Sequence, residues 1–133
     1  MTVHLHIIGS LFTLLAFIHA GFPRYFGWEQ QLAPLSVINR QMMQVHTFFI
    51  AFVVFLLGLL CLTSAEELTG TTLGRRICLG LGIFWGVRAL VQWFYYSKEL
   101  WRGKTLETAV HILFSALWIY CTAVFLLCAI PEH

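Results

Sequence analysis

His19, His46 and His111 fall in three different apolar stretches of this chain, each about as long as a membrane-spanning helix. Imidazole is the commonest metal ligand among side chains, and in hydrocarbon it needs a hydrogen-bond partner. If successive stretches alternate in direction, all three rings lie toward one side of the bilayer. His19 stands about three residues before the end of its stretch. His46 stands about four, and His111 about five, residues after the start of theirs. At 1.5 Å per residue each ring is expected roughly 5–8 Å below the same interface. Three imidazoles at one level define a candidate site.

Other polar side chains accompany them. Trp85, Arg88, Gln92 and Tyr96 recur at spacings of three and four, and so share one helix face. An arginine inside an apolar stretch has to face a bundle interior and find a partner there. Glu107 lies one turn before His111, and Ser115, Trp118 and Thr122 continue that stripe. Glu107 is thus a candidate for orienting the His111 ring. Met42 and Met43 precede His46 by one turn, with Gln44 beside them.

Three chemistries fit this layer. In an antiparallel four-helix bundle the second and fourth helices are diagonal, so His46 and His111 would face each other across the core. Two facing imidazoles suit the axial positions of haem b, with Arg88 near a propionate, Gln92 in support and His19 as a substitute ligand. Gly58, Gly80, Gly82 and Gly86 would let a macrocycle or another helix approach closely. The second chemistry takes His19, His46 and His111 to a single copper, zinc or iron ion, with Met42 or Met43 favouring copper. The chain contains no Asp, and Glu107 is the one carboxylate near the layer, which argues against a carboxylate-rich di-iron site. In the third, the same residues form a cofactor-free polar core or take an anionic or quinone-like ligand, as in a carrier or an accessory membrane subunit. Haem b in electron transfer, within a redox complex or alone, is the preferred expectation.

The elements that must position these residues follow from composition. Of 133 residues, 59% are hydrophobic and 11% charged, and mean hydropathy is +0.81. Soluble domains carry about 25% charged residues. A spanning helix needs roughly 20 apolar residues, and four segments qualify, at 3–22, 42–63, 76–96 and 106–130. Little chain remains for anything else. The expected fold is an all-α integral membrane protein, one domain over 1–133, folded as a four-transmembrane-helix up-down bundle. Ile18-His19-Ala20 before Gly21 loosely mimics a signal-cleavage site. No basic region precedes it and the apolar run is long, so it reads as an uncleaved helix.

Connections carry their own signals. Pro23 closely follows the first helix, as a stop does. A short interfacial helix is expected around Trp28–Leu32 in the longest connection. Thr63–Gly74 joins the second and third helices, and Ser97–Thr105 the third and fourth. Arg24, Arg40, Lys98, Arg102 and Lys104 gather on one side, against Arg75 and Arg76 offset by Glu66 and Glu67 on the other. The positive-inside rule makes the first side cytoplasmic and puts both termini outside, as in a bacterial inner membrane. The architecture resembles that of small four-helix membrane cytochromes; the resemblance is of layout alone and carries over no residue.

The remaining features point to structure. Cys61, Cys78 and Cys128 lie toward the outer helix ends and Cys121 deeper; they read as core packing, with a disulfide as the alternative. His4 and His6 are two residues apart, do not share a face and read as interfacial; His133 is terminal. Gly82-xxx-Gly86 suits close helix contact, within the chain or in a homodimer. Trp28, Trp101, Tyr25, Tyr95 and Tyr96 fit an aromatic belt. A net charge of +2 with basic loops suits lipid headgroups and gives no case for nucleic acid.

Overall fold

Helices account for every regular element of a computed structural model that describes residues 1–95 and 103–131. They are α1 (Thr2–Ala20), α2 (Phe22–Tyr25), α3 (Trp28–Gln31), α4 (Val37–Thr63), α5 (Ala65–Gly70), α6 (Thr72–Phe94) and α7 (Thr105–Ala129). α1, α4, α6 and α7 are long and apolar enough to cross a membrane. The expected Ser97–Arg102 stretch, Tyr96, Trp101 and His133 lie outside the described residues. The chain divides into two compact units, Val3–Ala65 and Glu66–His133 with the first two residues.

In the first unit, α1 buries Leu5, Ile8, Gly9, Phe12, Leu15 and Ala16, the three-and-four spacing of one helix face. α4 runs antiparallel to it, and glycine sets their approach. A Cβ on Gly58 would lie 2.8 Å from Thr13 Oγ1 and 2.9 Å from the Gly9 carbonyl oxygen. A Cβ on Gly9 would lie 2.7 Å from Leu62 Cγ. Further along, Phe17 and Phe55 meet edge to face at 6.2 Å.

The connection between these helices contains two short helices where one was expected. Pro23 sits at the start of α2, where its missing N–H costs nothing; α1 has already ended at Ala20. Gly27 joins α2 to α3 at φ 63°, in the left-handed region that glycine enters without penalty. α4 starts at Val37, not Met42, because the Ser36 hydroxyl accepts a hydrogen bond from the Asn39 N–H at 3.3 Å and caps a polar first turn. Hydropathy marks only the apolar part of such a helix.

Between α4 and α6, α5 occupies the middle of the Thr63–Gly74 connection. The Thr71 hydroxyl caps α6 by accepting from the Gly74 N–H at 2.9 Å, while donating to the Glu67 carbonyl at 2.7 Å. Gly74 lies so close to the backbone of Glu67 and Leu68 that no Cβ fits. α6 then packs antiparallel on α7. Gly82 receives Leu126, whose Cδ2 would lie 2.6 Å from an added Cβ. Gly82-xxx-Gly86 therefore serves contact inside this helix pair, and Gly80 faces open space.

Candidate functional site

The α6–α7 pair assembles a polar row. Trp85, Ala89 and Gln92 are buried on α6 with Arg88 half-buried between them, as the spacing of three and four requires. Gln92 Nε2 lies 2.8 Å from His111 Nδ1. Arg88 Nη1 donates to Gln92 Oε1 at 3.4 Å. Those directions form a relay: the amide oxygen faces arginine, so the amide N–H faces imidazole, and the neutral ring carries its proton on Nε2. The Arg88 guanidinium also lies 5.2 Å above the Trp118 ring centre, within cation–π range. Trp118 in turn stacks on Trp85 at 4.9 Å, with planes 6° apart.

Two donors in this row lack acceptors. Ser115 Oγ and Trp118 Nε1 are buried with no hydrogen-bond partner among the described residues. Buried polar groups are almost always satisfied, so these two atoms are candidates for contact with a ligand oxygen. Glu107 does not orient His111; it is exposed in the first turn of α7, where a carboxylate complements the helix dipole. The amide of Gln92 fills the role instead.

The other two histidines belong to the first unit. His19 is half-buried, and its Nδ1 lies 2.8 Å from the Leu15 carbonyl oxygen. A carbonyl only accepts, so Nδ1 carries the proton and Nε2 keeps its lone pair. The ring also lies 4.7 Å from that of Phe22. His46 is exposed on α4, as are Met42 and Met43. Both His4 and His6 are exposed, in keeping with interfacial positions.

His19 is one residue from the end of α1, and His46 is nine residues into α4, roughly 13 Å along the axis. His111 is six residues into α7, or roughly 9 Å. Among the described residues, no group of three or more His, Cys, Asp or Glu is placed to hold a metal ion.

Sequence reasoning found the α6 and α7 stripes but missed a groove in the first unit. It has a volume of ≈ 470 Å³ and includes His19, Trp28 and Gln44 in its lining. Gln44 was noted only beside His46, yet residues two apart on a helix point in nearly opposite directions. That geometry was the available signal. No protein-family model, curated protein or solved structure matches the chain, so its chemistry is read from its own residues.

Proposed function

We propose that the protein is an integral membrane protein, a four-helix up-down bundle with both termini outside a bacterial inner membrane, that holds haem b for electron transfer. Its helix exteriors support the membrane placement. Phe17, Phe48, Ile83, Ile112 and Leu113 are each more than half exposed, a density of outward apolar side chains suited to lipid and not to water. The asymmetry of arginines and lysines supports the orientation.

The observation that carries the haem reading is the α6–α7 row. It combines an imidazole, an amide that orients it, a guanidinium and two donors in need of acceptor oxygens. His111 and His46 would hold the iron, with His19 as the substitute. Arg88, Ser115 and Trp118 suit propionate oxygens. Bound haem supplies one-electron transfer between ferrous and ferric iron. Ligation through Nε2 requires the His111 proton on Nδ1, with the Gln92 amide turned so that Oε1 accepts it. That turn gives up the 3.4 Å hydrogen bond from Arg88, worth about 1.5–3 kcal/mol for a charged donor, which a propionate carboxylate would replace as acceptor.

Absorption spectra of the detergent-purified protein, oxidised and dithionite-reduced, with metal analysis on the same sample, test the proposal. A Soret peak is expected, lost in His46→Ala and in His111→Ala and retained in His4→Ala. Protein that stays colourless even when supplied with haem overturns it. A colourless sample with one equivalent of copper, zinc or iron, lost on replacing any of His19, His46 and His111, would establish the tri-histidine ion instead. A colourless, metal-free sample would point to a carrier or accessory subunit.

A further inference from the structure

We propose that the α1–α4 groove binds a neutral aromatic-headed membrane lipid, a phenol or hydroquinone bearing an apolar tail. The groove lies wholly within the Val3–Ala65 unit. Its volume falls within the roughly 300–1,000 Å³ usual for small-molecule sites. Its two ends differ in chemistry. His19, Trp28, Gln44 and Thr47 line the end nearest the connection between the helices, while Phe17, Phe52 and Phe55 line the part further along them.

The hydrogen-bond inventory selects the head group. His19 Nδ1 is engaged by the Leu15 carbonyl, so Nε2 presents an acceptor with no partner among the described residues. A hydroxyl donor matches it. Thr47 already donates to the Met43 carbonyl at 2.9 Å. The exposed Gln44 carboxamide has no partner among the described residues and can meet the second oxygen of such a head. Charge narrows the choice further. Among the described residues no Lys, Arg, Asp or Glu lines the groove, so none of them neutralises a phosphate or an ammonium group there. The stacked rings of Phe48 and Phe52, 6.2 Å apart with planes 5° from parallel, offer an aromatic wall for a planar ring. Phe17 and Phe55 border the path of an apolar tail.

This site rests on the membrane placement proposed above and not on haem. Resistance to carbonate extraction from membranes reads that placement separately. The binding test uses the full chain in nanodiscs, with decyl-hydroquinone and its dimethyl ether as probes in titration calorimetry. Saturable binding of the hydroquinone is expected, about tenfold weaker for the ether, which cannot donate to His19. In His19→Phe the hydroquinone weakens by the same factor and the two probes become equal, whereas His111→Ala changes neither. Circular dichroism establishes that both variants fold. Equal affinities in the unaltered protein, or no saturable binding, overturn the proposal. Saturable displacement of the hydroquinone by a phospholipid at equimolar level would likewise overturn it and make the groove a phospholipid site.

Discussion

Gln92 and His111 are joined across α6 and α7 by a 2.8 Å hydrogen bond between Nε2 and Nδ1, which makes the state of the imidazole depend on the amide. With Arg88 donating to the amide oxygen, the amide nitrogen donates and the ring is protonated on Nε2. His19 is held in the opposite form by the Leu15 carbonyl. Nitrogen-15 spectra of histidine-labelled, haem-free protein are expected to show a ring held in the Nε2-protonated form whose distinct signal is lost in Gln92→Leu. The same substitution removes the hydrogen-bond partner of Nδ1 in a half-buried imidazole and lowers stability by about 1–3 kcal/mol. A His111 protonated on Nδ1 without haem would mean that the amide already faces the other way.

Glycine positions in the long helices are unequal. Gly58→Ala places a Cβ against Thr13 Oγ1 and the Gly9 carbonyl, forcing α1 and α4 apart. A loss of about 1–3 kcal/mol is expected from such overpacking. Gly80 has nothing within 4 Å of the added atom. There Gly80→Ala gains up to about 1 kcal/mol of helix propensity. Thermal unfolding of the two variants in detergent checks the contrast, and equal effects would remove Gly58 from the helix contact.

These cases mark how far the sequence could be read. The number of long helices follows from apolar run length, and the facing of Trp85, Gln92 and Trp118 follows from three-and-four spacing. Gln92 as the partner of His111 does not, because spacing defines faces within a helix but not which residues meet between helices. Glu107, four residues before His111, was the local choice; the side chain that reached the ring came from 19 positions away. The early start of α4 depends on the capping geometry of Ser36, which hydropathy does not register. Helix α5 and the groove depend on backbone path, and no residue type announces either.

Ser115 separates a ligand site from a defect. Its hydroxyl is buried with no hydrogen-bond partner among the described residues, and an unsatisfied group of this kind costs about 1–3 kcal/mol. Ser115→Ala should therefore leave haem-free protein unchanged or more stable by up to about 1 kcal/mol. With haem bound, the same change should weaken retention, since a donor to a propionate is lost. Unfolding curves with and without haem give both numbers. A haem-free protein destabilised by the substitution would mean that the hydroxyl already serves the fold.

The cysteines test packing against covalent linkage. Cys61, Cys78, Cys121 and Cys128 are all buried thiols. Cys78 donates to the Leu68 carbonyl at 3.7 Å, which ties α6 to α5. Thiols reached only through lipid and packed side chains alkylate slowly, because the reactive species is the solvated thiolate. Protein purified without reductant should take up no iodoacetamide while folded and four equivalents after unfolding in dodecyl sulfate, counted by intact mass. Two equivalents with a cross-linked Cys78–Cys128 peptide would replace packing with a disulfide. That result would also place the α6 start and α7 end on an oxidising side of the membrane, the side the arginine and lysine asymmetry assigns to them.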